Sequence, residues 1–109
     1  MFKIITNPQF THPVTVNVPV DGGHREETFK ARFQVVDQDE TEDLDLGTRD
    51  GLSDYLRKVW IGVEDVLGEN DTPVLWSDEL RDRMLQLPYV RLGLLRTYTG
   101  ALTGARAGN

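Results

Sequence analysis

Cysteine is absent from this chain of 109 residues, and histidine occurs only twice. Without cysteine, no disulfide, thiolate nucleophile or cysteine-ligated zinc site can form. The two histidines, His12 and His24, lack acidic or cysteine partners at the spacing that metal sites use. The carboxylates are concentrated in one loop-like segment, where nothing predicts a shifted pKa for acid–base chemistry. We therefore expect no metal, no cofactor, no catalytic residue and no enzymatic activity.

Long apolar runs and an excess of basic residues are also missing. No run approaches the ~18 apolar residues of a membrane-spanning helix, and Met1 to Ile5 is too short for a signal-peptide core. The net charge of −6 argues against a nucleic-acid partner on electrostatic grounds. A length of 109 residues with 39% hydrophobic residues predicts one domain, residues 1–109. We expect a cytoplasmic protein that binds other proteins.

The charges are unevenly distributed along the chain. Eight acidic residues lie between Asp37 and Asp54 against Arg49 alone, whereas five arginines lie between Arg81 and Asn109 against Asp82 alone. One interpretation is a solvated acidic loop followed by an ordinary helix surface. The other is that opposite charges steer a partner or a second copy.

Two segments alternate apolar and polar residues in the manner of half-buried strands. Gly22 and Gly23 separate them and favour a turn. A turn centred on these glycines would place Val16 opposite Phe29, with both apolar rows on one face. The hairpin region is assigned to residues 1–36, and Phe2 to Ile5 is a candidate third strand. The alternating apolar residues are Val14, Val16, Val18 and Val20, then Phe29, Ala31, Phe33 and Val35.

The rest of the chain has helical signals after an acidic loop, residues 37–51, that has room for one helical turn. Thr48 or Asp50 can cap a helix whose apolar stripe runs from Leu52 to Leu67 and includes Trp60. Gly68 is suited to end it, and Ser77 is a suitable cap for the next helix. Pro88 is suited to begin a last helix that runs to about Arg106. The helical region is 52–107, so the predicted fold is α+β: an antiparallel β-hairpin packed on about three helices.

A face of small residues distinguishes the predicted last helix. Glycine in a helix costs up to ~1 kcal/mol relative to alanine, so such a face suggests a close approach by another element. Either the Leu52–Leu67 helix packs there, or a second copy or partner helix does. Trp76 either joins the next helix to the core or stays partly exposed as a partner contact, and Trp60 is expected in the core. The candidate partner-binding residues are Gly93, Thr97, Gly100, Gly104, Arg96 and Trp76.

Several short segments together resemble a known family. Phe2-Lys3-Ile4, Asn7-Pro8, Phe10 and Phe29-Lys30-Ala31-Arg32-Phe33 resemble the N-terminal half of tail assembly chaperones from long-tailed, siphovirus-type phages and prophages. The C-terminal half of that family is similar to Ser77-Asp78-Glu79-Leu80, Leu87-Pro88-Tyr89-Val90-Arg91 and Ala105-Arg106-Ala107-Gly108-Asn109. The resemblance covers most of the chain, and its motifs are structural positions rather than chemical signatures.

The resemblance implies a protein of the host bacterial cytoplasm that acts while the tail is built and is absent from the finished virion. It would bind the tape measure protein, keep it soluble and help to recruit tail tube subunits, in part through a frameshifted longer form. A structural neck or tail-completion protein that stays in the virion is the alternative. An open hairpin edge and the small-residue face also predict a homo-oligomer.

Overall fold

The computed structural model describes residues 1–104 and confirms the α+β fold. The sheet has three antiparallel strands in the order β1-β2-β3, so β2 is central. A short 3-10 helix, Gln38–Glu40, lies in the acidic loop after the hairpin. The strands are β1 (Gln9–Val20), β2 (Gly23–Gln34) and β3 (Trp60–Glu64), and the helices are α1 (Arg49–Val59), α2 (Asp78–Leu85) and α3 (Pro88–Leu102).

The hairpin is confirmed, but its predicted register is wrong by two residues. Val14, not Val16, pairs with Phe29, and Val16 pairs with Glu27. The turn consists of Asp21 and Gly22, where Gly22 adopts the positive φ of +77° that glycine allows. Since side chains alternate with a period of two, a two-residue shift leaves the same apolar row on the buried face. That row is Val14, Val16, Phe29, Ala31 and Phe33.

Two prolines in β1 explain which register forms. The amide of Val35 donates to the carbonyl of Pro8 at 2.9 Å, so Pro8 is in a hydrogen-bonded pair. Because such pairs alternate along an antiparallel ladder, the even-numbered residues of β1 are the ones that bond to β2. Pro13 and Pro19 then occupy non-hydrogen-bonded positions, where the missing N–H faces the open edge of the sheet. In the register expected from Gly22-Gly23, both prolines would face β2 and two ladder bonds would be lost. The prolines thus select the observed turn.

The third strand of the sheet is not the one expected. Phe2 to Ile5 form no strand and are exposed, whereas β3 supplies the third strand along the free edge of β2. The predicted helix from Leu52 to Leu67 is therefore wrong beyond Val59, where α1 ends. Trp60-Ile61-Gly62-Val63 favours a strand locally, and a two-stranded hairpin needs a further strand or layer for stability. Gly68 accordingly caps no helix.

The predicted helix starts are confirmed by their capping bonds. The Thr48 hydroxyl accepts from the Gly51 amide at 3.0 Å, and the Ser77 hydroxyl accepts from the Leu80 amide at 3.0 Å. Pro88 is in the first turn of α3, where its missing N–H costs nothing. α1 begins at Arg49, three residues before the predicted start of the helical region at Leu52, so the acidic loop ends at Thr48 rather than Gly51.

One core joins the sheet to the helices. Phe33 and Trp60 are almost fully buried, as is Tyr98 of α3, whose ring lies 5.4 Å from that of Phe33. Trp60 is thus in the core, as the sequence predicts. α3 packs mainly on β1, so the last helix covers the hairpin directly.

Burial of Tyr98 predicts a loss of stability at alkaline pH. Desolvation, with a smaller effect of nearby Tyr55, raises the pKa of Tyr98 from 10.0 to about 12, against an opposing backbone hydrogen bond at Val36. Because the unfolded chain ionises at the lower value, stability is intact below pH 10 and falls as the pH rises to about 12. We expect a loss of about 2 kcal/mol in the free energy of unfolding over this window.

The measurement is urea unfolding of the wild type and of Tyr98→Phe, each at about pH 8 and about pH 11.5. The variant should lose less stability between the two pH values than the wild type does. Equal losses in the two proteins would show that Tyr98 does not carry this pH dependence.

Candidate functional site

The glycine face of α3 begins inside the molecule. Gly93 is buried against β1, where a Cβ atom would lie 2.8 Å from Cγ1 of Val16 and 3.1 Å from the carbonyl oxygen of Thr15. The close approach expected from the sequence therefore exists, but the sheet makes it rather than the predicted Leu52–Leu67 helix. While α3 packs on β1, Gly93 is not available to a partner.

The other members of the small-residue face have different environments. Thr97 and Gly100 are half-buried and share the Gly93 side of α3 by their spacing. Gly104 lies beyond the end of α3 and is exposed, with a φ of +80°. It adopts the left-handed conformation common at helix ends, so it is not part of a helical stripe. The expected end of this helix at Arg106 lies outside the described residues.

Arg96 and Trp76, the remaining candidates, make contacts within the chain. Nη2 of Arg96 donates to the carbonyl oxygen of Thr15 at 3.0 Å, on the edge of β1 that also carries Pro13 and Pro19. Arg96 thereby satisfies an edge acceptor, and the prolines remove edge donors, so β1 is a poor site for strand addition. The half-buried Trp76 packs edge-on against Trp60 at 4.8 Å between ring centroids, which supports its role in joining α2 to the core.

The outward side of α3 carries an apolar stripe that the sequence analysis missed. The outer leucine stripe consists of Leu92, Leu95, Thr99 and Leu102, at spacings of three, four and three residues. Leu92 is 59% exposed and Leu102 is 52% exposed, whereas Leu95 is half-buried and packs against the core. This spacing matches the a and d positions of two heptads, the pattern by which one helix packs along another. The heptad spacing is present in the sequence, but other apolar residues lie between these positions, so the spacing does not stand out there.

A second apolar surface lies at the tip end of the hairpin. The apolar groove, with a volume of about 720 Å³, lies between the hairpin, the β3–α2 connection and the α2–α3 pair. Its charged lining is mixed, with Glu27, Asp65 and Glu69 beside Arg25 and Arg83. Leu67 is 58% exposed there, because this segment is a connection rather than the predicted helix. Its apolar lining includes Val16, Val18, Leu67, Val74, Leu80 and Val90.

The polar surface between α1 and α2 is occupied by ion pairs. Asp82 accepts from Arg57 at 3.0 Å and from Arg81 at 3.1 Å, and Asp54 accepts from Arg57 at 2.8 Å. Hydrogen bonds from Arg81 and then Arg57 hold the pKa of Asp82 below its ordinary value. The same contacts, first that with Asp82, raise the pKa of Arg57. Charges matched in this way link the two helices.

Residues 1–104 contain no cluster of three or more histidine, cysteine or acidic side chains that could hold a metal ion. Within the same part of the chain, no helix has the length and apolar character needed to span a bilayer. Comparisons of the chain with protein-family models, with curated proteins and with solved structures found no match.

Proposed function

We propose that this protein is a phage tail assembly chaperone and that the outer leucine stripe of α3 binds the tape measure protein. The observation that carries the proposal is that the outer leucine stripe has heptad spacing and leaves Leu92 and Leu102 exposed, on a helix whose opposite face is already packed on β1. A long, mostly helical client offers the complementary apolar stripe. The resemblance of both halves of the chain to tail assembly chaperones names that client.

Helix-on-helix binding also fits the anchoring of α3. Its inner face is fixed to the hairpin at Gly93 and through Arg96, so the stripe is presented by a rigid element. A preordered helix loses little conformational entropy when its partner docks, which favours affinity. The function is then to cover apolar heptads of the client until tail tube subunits replace the chaperone, which would be missing from finished particles.

The test is co-expression with the tape measure protein from the same genome, followed by co-purification. Leu92→Asp and Leu102→Asp should each reduce the amount of soluble client recovered, because a carboxylate at a buried a or d position is left without a partner. Both side chains are exposed in the free protein, so thermal unfolding should be nearly unchanged. A combined Leu92→Asp/Leu102→Asp variant should lose the client altogether.

Leu75→Asp is the matched control, since Leu75 is 88% exposed and lies outside α3. It should retain client binding. Equal client recovery with the double variant and with the wild type would refute the assignment of the stripe. Detection of the protein in purified virions would instead favour a structural neck or tail-completion protein.

A further inference from the structure

We propose that a second copy of this chain binds in the apolar groove through its N-terminal arm, residues 1–5. The arm carries large apolar side chains that residues 1–104 leave uncovered: Phe2 is 91% exposed and Ile4 is 87% exposed. The groove is a largely apolar concavity on the same molecule, at the opposite end of β1 from the arm. An apolar segment and an apolar concavity that are both open to water bury each other favourably.

The arm cannot reach the groove of its own chain. Pro8 is fixed at the start of the sheet by the hydrogen bond from Val35, and the groove begins at Val16. Eight residues of strand separate these positions by ~27 Å. The six residues from Pro8 back to Phe2 span at most ~22 Å even when fully extended. The occupant must therefore come from another copy.

One acidic side chain of the groove, Glu69, is available to pair with the charge of the arm. Lys3 is the only charged side chain of the arm, whereas the charged lining of the groove is mixed and consists of Arg25, Glu27, Asp65, Glu69 and Arg83. Glu27 already pairs with Arg25 at 2.6 Å, and Asp65 approaches Lys30 at 3.8 Å. Glu69 has no ion-pair partner within residues 1–104, which leaves it as the match for Lys3 of the incoming arm.

This association uses neither the β1 edge nor the outer leucine stripe. The edge is obstructed by Pro13, Pro19 and the Arg96 bond to Thr15, and the stripe lies on the outward side of α3. Self-association and client binding thus occupy separate surfaces. The inference goes beyond the proposed function, and either can fail while the other stands.

The experiment is sedimentation velocity on the full-length chain across a concentration series. The wild type should associate, whereas a variant lacking residues 2–5 and the groove variant Leu67→Asp should each be monomeric. Residues 2–5 and Leu67 are exposed in the single chain, so both variants should fold, and thermal unfolding verifies this. Leu75→Asp, which introduces the same charge outside the groove, should associate like the wild type.

Mixing the two monomeric variants gives the sharpest test. The arm-deleted protein keeps its groove and Leu67→Asp keeps its arm, so together they form one productive contact and should sediment as a one-to-one dimer. Lys3→Glu and Glu69→Lys should each weaken wild-type association, and the double variant should recover about two- to fivefold in affinity, as expected for an exposed ion pair. A monomeric wild type, unchanged association without residues 2–5, or a mixture that stays monomeric would each overturn the proposal.

Discussion

Phe33→Ala should lower the free energy of unfolding by roughly 3–5 kcal/mol, because a fully buried aromatic ring leaves a cavity that its neighbours can only partly fill. Phe33 lies on the central strand β2, and its side chain is inaccessible to solvent. Its ring lies 5.4 Å from Phe10 on β1 and 5.4 Å from Tyr98 on α3. Its backbone pairs with Trp60 of β3 beside the irregularity in that ladder.

Equilibrium unfolding in urea gives this value, and Phe2→Ala is the matched control. Phe2 is exposed in the arm, so its truncation should change stability by less than about 0.5 kcal/mol. The measurements belong at a protein concentration low enough for the chain to be monomeric. A loss below about 1 kcal/mol for Phe33→Ala would mean that this face of the hairpin is not the core.

Gly93→Leu should cost about 3 kcal/mol, the upper part of the range for overpacking a close contact. Even a Cβ atom would lie 2.8 Å from Val16 and 3.1 Å from the backbone of Thr15, so a leucine forces α3 away from β1. Backbone cannot yield as the end of a flexible side chain can. The strain outweighs the gain of up to ~1 kcal/mol from replacing glycine in a helix.

A double-mutant cycle separates this steric effect from helix propensity. Gly93→Ala alone should destabilise, but in a Val16→Ala background the same change should cost at least about 0.5 kcal/mol less, since the closest clashing atom is gone. If Gly93→Leu folds with wild-type stability, α3 does not rest on β1 at this point. Normal stability combined with loss of client binding would instead favour the other alternative from the sequence, in which the glycine face contacts a partner.

Two adjacent residues of α3, Leu92 and Gly93, lie in opposite environments. Gly93 faces β1 and allows close packing, while the adjacent Leu92 faces water and belongs to the outer leucine stripe. The sequence left open whether the glycine side packs internally or against a partner, since glycine in a helix indicates a close approach but does not identify the neighbour. Only the packed sheet shows that the neighbour is internal.

The sequence by itself determined the features that depend on local chemistry. The alternating valines and phenylalanines specify the hairpin and its buried face, and Thr48, Ser77 and Pro88 specify where the helices begin. Each of these signals acts within a few residues, through a capping bond, a fixed φ or a side-chain period. The sequence also shows directly that cysteine and long apolar runs are absent, which led us to expect neither disulfides nor a membrane-spanning helix.

The tertiary structure alone decided the identity of the third strand and the partner of the glycine face. Residues 60–64 continue the helical apolar period of α1, yet they form β3 because the edge of β2 supplies hydrogen-bond partners about thirty positions away in the chain. Phe2 to Ile5 have strand-forming residues but pair with no strand, and the edge of β2 that a third strand needs is occupied by β3. Local propensity cannot rank such competing pairings, because the free energy that separates them arises only when distant segments meet.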